Sequence, residues 1–231
     1  MKYKNLTVIG TSHIAKQSLD EVKRAIEEEK PDIIALELDR KRLYALTHDN
    51  KGGISIYSIR RVGLKGFIFS LIGAWAERKL GKMVGVSPGS EMKNAINLAK
   101  KGRMEIALVD QDIEITLKRF SQTLTWRERW NFIVDIAGAI ILRKKELEFD
   151  LKTVPSKEII DKLVRKVKER YPNVYNVLIE ERNKVMGRNL RKLMDKHPNK
   201  KILAIVGAGH KEEIIKAVKR MESISYSFSI G

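Results

Sequence analysis

Cysteine is missing from all 231 residues. A disulfide-stapled scaffold is thereby excluded, as are thiol nucleophiles, Cys-ligated zinc and iron–sulfur clusters, and the lack fits a reducing cytosol. Long apolar runs are missing too. No stretch without a charged residue is longer than the eleven residues of Gly66 to Ala76, against roughly 20 apolar residues for a membrane-spanning helix. The N-terminus, Met-Lys-Tyr-Lys-Asn, carries no apolar signal region, so the domain is expected to be cytoplasmic. Aromatic residues make up only 6 %, and none interleaves with a basic run, which argues against specific nucleic-acid recognition.

Basic residues are plentiful: 46 Lys and Arg stand against 29 Asp and Glu, a formal charge of +17. Hydrophobic residues at 43 % exclude disorder despite that charge. The length suits one domain with helical insertions. Much of the charge falls in the inserted helices, as in Arg165-Lys166 with Lys168 and Arg170, and Arg188 with Arg191-Lys192. An anionic membrane surface or an acidic partner is the expected neighbour of such helices.

Four short apolar runs, at 6–10, 33–38, 106–109 and 202–206, do not alternate with polar residues. That is the mark of strands buried on both faces of a parallel sheet. The first helix is expected to start at a capping box, Ser18-Leu19-Asp20-Glu21, with Leu19, Val22, Ala25 and Ile26 on one face. Residues 6–38 then form a βαβ unit. Helical readings fill about 40–101 and 112–196, the second with starts at Thr125-Trp126-Arg127-Glu128, Pro155-Ser156 and Tyr171-Pro172. Alternation at Ile224, Tyr226, Phe228 and Ile230 predicts a closing edge strand. The expected fold is α/β, a mainly parallel central sheet flanked by helices with large helical insertions. Inside the first insertion, Leu64, Phe67, Ile68, Leu71, Ile72 and Trp75 form an apolar stripe beside Gly63, Gly66, Ser70 and Gly73. Core packing, a homodimer contact through the 62–76 helix and a membrane-surface contact all suit such a stripe.

Only four histidines are present, and two close strands in the same setting: Gly10-Thr11-Ser12-His13 and Gly207-Ala208-Gly209-His210. Groups just past the carboxyl ends of parallel strands gather along one edge, where such folds bind ligands. Glycine there permits a sharp turn. Glu37 interrupts the second apolar run, and a carboxylate so placed is paired, protonated or bound to a cation. Asp110 ends the third strand, where it either joins the site or caps the following helix. Two imidazoles and a carboxylate suit a divalent transition metal with an open position for water, and hydrolysis is its natural reaction. In the row Val174, Leu178, Arg182, Met186, Leu190, an arginine stands where a hydrophobe is expected. It either pairs with Glu37 or Glu91, or holds an anionic substrate group or a developing oxyanion. His48 and His197 lie in polar turns and are expected at the surface.

Six motifs in order carry a resemblance: Gly10-Thr11-Ser12-His13; Glu37-Leu38-Asp39 with Arg42; Pro88-Gly89-Ser90-Glu91-Met92; Asp110-Gln111-Asp112-Ile113 with Thr116-Leu117; Glu181-Arg182-Asn183 with Met186; and Val206-Gly207-Ala208-Gly209-His210. From Val8 to His210 the chain resembles the TraB/PrgY family, related to Tiki and GumN proteins. The resemblance implies a fold similar to erythromycin esterase and ChaN-like proteins. It also implies an active site of two Gly-x-x-His motifs and a Glu: His13, Glu37 and His210 as metal ligands, with Arg42, Glu91, Asp110, Arg182 and Asn183 around them. The implied cofactor is a divalent metal, Mn, Co or Zn. The implied activity is that of a metal-dependent, peptidase-like hydrolase on a peptide or protein substrate; the alternative is a peptide pheromone-binding or sequestering protein at the membrane. Longer family members continue into membrane-spanning helices, so the chain is expected to be either a short paralogue or a portion of a membrane-associated protein. Gln111 stands where the family often has Arg.

Overall fold

The structure is a computed structural model that describes residues 1–11, 16–48, 89–141 and 157–227. His13, the stripe at 62–76 and the proposed helix start at 155–156 lie outside those residues. The elements run β1 (Lys2–Tyr3), β2 (Leu6–Thr11), α1 (Lys16–Glu29), β3 (Ile33–Leu36), α2 (Arg40–Thr47), α3 (Ser90–Lys101), β4 (Glu105–Leu108), α4 (Ile113–Thr123), α5 (Trp126–Ile141), α6 (Lys157–Arg170), α7 (Pro172–Tyr175), a π-helical turn (Asn176–Glu180), α8 (Glu181–Lys196), β5 (Ile202–Gly207) and α9 (Lys211–Ser227).

Five strands form one sheet in the order β1-β2-β5-β3-β4, parallel except for the β1 edge. β5 therefore lies between the two strands of the βαβ unit. Register pairs Thr11 with Gly207, and Leu36 with both Ile205 and Leu108. β3 and β5 are buried along their whole length, as unbroken apolar runs require. Side chains alternate across the sheet and feed two cores. On one face Ile34, Leu36, Leu203 and Ile205 pack against Val22 and Ile26 of α1 and Met92, Ala95, Ile96 and Ala99 of α3. On the other, Val8, Ala35, Ala204 and Val206 meet Met186, Leu190 and Met194 of α8 and Ile214, Ile215 and Val218 of α9. Burying one such Leu or Ile side chain stabilises the fold by roughly 1.5–3 kcal/mol.

Two boundary expectations are corrected. Ser18 does not start α1: the helix is already under way at Lys16, and Ser18 is fully buried within it. Glu21 accepts from Gln17 Nε2 at 2.6 Å, an i,i+4 contact, where a capping box would turn it back to the Ser18 amide. The closing edge strand is also absent over 224–227, because α9 runs on through Ser227. No glycine or proline interrupts Lys211 to Ser227 to end the helix. The box at Thr125 does form: Glu128 accepts from the Thr125 amide at 3.0 Å, and the Glu128 amide donates to Thr125 Oγ1 at 3.3 Å.

Among the described residues no helix is long and apolar enough to cross a membrane. Lys162, Arg165, Lys166, Lys168 and Arg170 of α6 are exposed.

Candidate functional site at the strand ends

The sheet order brings the ends of β3 and β5 together. Glu37 follows β3 directly, and its Oε2 accepts from the Gly207 amide at the end of β5 at 2.5 Å. On the other side of β5, the Ala208 amide donates to the Thr11 carbonyl at 2.9 Å. A Cβ on Gly10 would lie 3.0 Å from the Ala208 Cα. Glycine is thus needed at Gly10 for close approach of backbones, whereas among the described glycines only Gly89 has positive φ. The turn to His210 closes through its amide, which donates to the Gly207 carbonyl at 2.9 Å.

Arg182 is the hub. A guanidinium has five N–H groups, and each has an acceptor here. Nε donates to Asp110 Oδ1 at 3.1 Å, and Nη2 donates to Asp110 Oδ2 at 2.6 Å and to Glu37 Oε1. Nη1 donates to the Leu178 carbonyl at 3.2 Å and meets His210 Nε2 at 3.3 Å. The ion pair expected with Glu37 is present and extends to Asp110, whose side chain is wholly buried. Helix capping falls instead to Asp112, which accepts from the Glu114 amide at 2.8 Å.

The π-helical turn just upstream sets the phase that delivers Arg182. Counting back from Leu190 and Met186 by fours reaches Arg182 and Leu178. The wider turn inserts an extra residue, so Val177 is the fully buried residue there, packed with Phe120 and Leu124. Such turns recur at functional sites.

Tautomer follows from chemistry. An arginine cannot accept, so His210 Nε2 presents its lone pair to Arg182 and the ring proton sits on Nδ1. Nδ1 then donates to Asn183 Oδ1 at 2.7 Å, leaving the amide nitrogen of Asn183 over. His210 Nε2 also lies 3.5 Å from Glu37 Oε1.

Arg42 forms the outer layer. Its Nε donates to Asp39 Oδ2 at 2.7 Å and its Nη2 to Asp110 Oδ2 at 2.5 Å. Asp39 is the N-cap of α2, accepting from the amides of Lys41 at 2.8 Å and Arg42 at 3.0 Å, and it also accepts from the Ile113 amide at 3.2 Å. Asp39 is a site member that the sequence reading passed over as part of a motif. An aspartate at a strand end three residues before an arginine, at the head of a helical run, was the available signal. The cluster holds three carboxylates (Glu37, Asp39, Asp110) and two guanidiniums. Burial pushes Asp110 toward its protonated form, yet the bonds and charges of Arg182 and Arg42 outweigh it and hold the carboxyl below the usual range. Burial likewise opposes the charge on both arginines, and their carboxylate partners outweigh it, so both stay cationic.

Glu91 is buried in the first turn of α3, facing that helix's positive end. Gln111 donates to Thr116 Oγ1 at 3.0 Å. His48 is exposed and stacks on Tyr44, while His197 is half-buried at the end of α8. Among the described residues no group of three His, Asp or Glu side chains is arranged to hold a metal ion. Glu37 and His210 offer two donors.

The sequence model of the TraB/PrgY/gumN family matches residues 2–228. An uncharacterized protein of Methanocaldococcus jannaschii is 35% identical over 221 residues, 95% of this chain and 54% of that protein. TraB domain-containing proteins of Mus musculus and Homo sapiens are each 22% identical over 227 residues, covering 88% of this chain and 60% of their own length. The chain spans about half to three fifths of the length of these relatives.

Proposed function

The chain belongs to the TraB/PrgY/gumN family, and from that membership together with the strand-end cluster we propose that it is a metal-dependent hydrolase acting on peptides. The observation that carries the reading is the orientation of His210. Asn183 holds Nδ1 and leaves Nε2 unprotonated, beside Arg182 Nη1 and 3.5 Å from Glu37 Oε1, the arrangement by which a second residue orients a ligating histidine.

The donor pair fits an ion. Ligands 2.0–2.2 Å from one tetrahedral centre lie about 3.3–3.6 Å apart, and Glu37 Oε1 and His210 Nε2 are 3.5 Å apart. Three carboxylates against two guanidiniums also leave the cluster one positive charge short of balance. His210 and Glu37, with His13 as the third donor, would hold a divalent ion such as Mn, Co or Zn. Such an ion supplies Lewis acidity and acidifies water.

The remaining roles belong to the chain. Arg182 has all five N–H groups committed within the protein, so we assign it to positioning Glu37 and Asp110, and its own hold on the substrate is given up. Arg42 is partly exposed and uses Nε and Nη2 internally. Its Nη1 therefore keeps the N–H donors that would face a substrate carbonyl or carboxylate. Glu91 and Asp110 act on the site through its field. The exposed basic helices would lie against an anionic membrane surface or an acidic partner.

One observation favours a second reading, a peptide-binding protein without turnover: the Arg182 contact occupies the His210 lone pair that an ion would take. Metal analysis of protein purified without chelator separates the two. The hydrolase reading expects close to one ion per chain, lost in His210→Ala and Glu37→Gln, together with peptide cleavage that both variants abolish. Peptide bound and recovered intact, with no metal dependence, would overturn it.

A further inference from the structure

Behind His210, between α6, the π-helical turn, α8 and α9, lies a cavity of about 340 Å³, at the small end of ligand pockets. Four basic side chains line it, Lys168, Lys184, Lys216 and Arg220, against the carboxylates of Glu180 and Glu213. Four cations against two carboxylates give the lining a net double positive charge; Lys168 sits 3.7 Å from Glu180 and Lys216 2.7 Å from Glu213. Lys184 is exposed on α8 and makes no ion pair with the described residues. The cavity is also lined by Asn183, which is 5 % exposed and whose oxygen is taken by His210. Its amide nitrogen is a donor with no hydrogen bond to the described residues. That donor opens on the cavity, and beside surplus positive charge it suits an acceptor that is anionic.

We propose that this cavity binds a carboxylate of the peptide substrate, and that occupancy is transmitted to His210 through Asn183. The inference rests on the peptide-hydrolase reading and sharpens it: the preferred substrate is acidic. The carboxylate takes the Asn183 N–H and the Lys184 ammonium. The amide plane is thereby fixed from both sides, which holds the His210 proton on Nδ1 and leaves Nε2 unprotonated beside Arg182 and Glu37.

The test is calorimetric binding of a decapeptide carrying two adjacent glutamates, beside its glutamine analogue, to the full chain. Wild type is expected to bind the acidic peptide about tenfold more tightly than the analogue, the worth of one charge-assisted bond. The preference should vanish in Lys184→Glu/Lys216→Glu and persist in Lys184→Arg. Both lysines are exposed at the surface, and circular dichroism of each variant checks that the fold is kept. The ¹⁵N imidazole signal of His210, assigned with His210→Gln, should move on binding in wild type and stay fixed in the double variant. Equal affinity for the two peptides, or displacement by millimolar inorganic phosphate as complete as by excess peptide, would overturn the proposal. Acidic-peptide binding without cleavage would retain the pocket and sink the hydrolase reading, so the two failures are distinct.

Discussion

Replacing Arg182 by methionine keeps most of the side-chain volume and removes the guanidinium alone. Glu37 and Asp110, with side chains 3 % and 0 % exposed, then lose the cation they share. Breaking a buried pair by deleting one partner costs about 3–5 kcal/mol, because the other charge stays uncompensated. For a chain of this length each kcal/mol moves the melting temperature by about 2–4 °C, so a fall of roughly 6–20 °C is expected at pH 7. Denaturant titration should report the same loss at unchanged m-value. Acid supplies a further check. In the wild type Asp110 is held below its ordinary value by Arg182 and Arg42 against the opposing effect of burial. Its contribution is therefore complete above the unfolded carboxylate pKa of about 3.9 and is lost as pH falls through the lower folded value. In the variant the carboxyl is buried beside one cation fewer and takes up its proton at higher pH. The gap between wild type and variant should thus narrow steadily as pH falls below about 5. Arg182→Lys, which keeps the charge but cannot bridge two carboxylates bidentately, should fall between the two. A loss under about 1 kcal/mol at pH 7, or a gap that does not narrow in acid, would refute the claim that this guanidinium compensates two buried carboxylates.

Glu128 is buried and accepts from Thr125 and from the amide and side chain of Asn173, which joins α5 to α7. Burial opposes its charge, but these bonds outweigh it and lower its pKa. Glu128→Ala should cost about 2–3 kcal/mol near neutrality by denaturant titration, with the difference from wild type shrinking as pH drops below about 4. Gly187 on α8 leaves no room for a methyl group, since a Cβ there would sit 2.6 Å from the Ala217 Cβ of α9. Gly187→Ala should therefore destabilise by about 1–3 kcal/mol, and adding Ala217→Gly should recover part of it. A neutral Gly187→Ala in thermal melts would show that the two helices can separate freely.

Particular residues show how far sequence alone could reach. Strands β3 and β5 were legible because burial on both faces writes an unbroken apolar run, and Glu37 was legible as the exception inside one. Arg182 stood out for the same reason, as a cation in an apolar row. The segment at 224–227 shows the limit: a short alternation is a local pattern, and the helix already running from Lys211 continues through it to Ser227. The π-helical turn was invisible, since it changes helical phase by one residue without a glycine or proline to mark it.

What the sequence determined by itself is the α/β class, the family, the strand ends as the candidate site, and most of the residue types gathered there. Each is written in contacts close along the chain or in motifs. Only the tertiary structure decided that β5 lies between β2 and β3. That order puts the Gly207 amide on Glu37 and sets His210 beside Arg182. It likewise decided that Asp110 joins two arginines while Asp112 caps the helix. The links of Asp110 to Arg42 and Arg182, and of Glu37 to the Gly207 amide, join residues some 70 to 170 positions apart. Such pairings are selected by the summed burial of the whole sheet, and no local pattern encodes them.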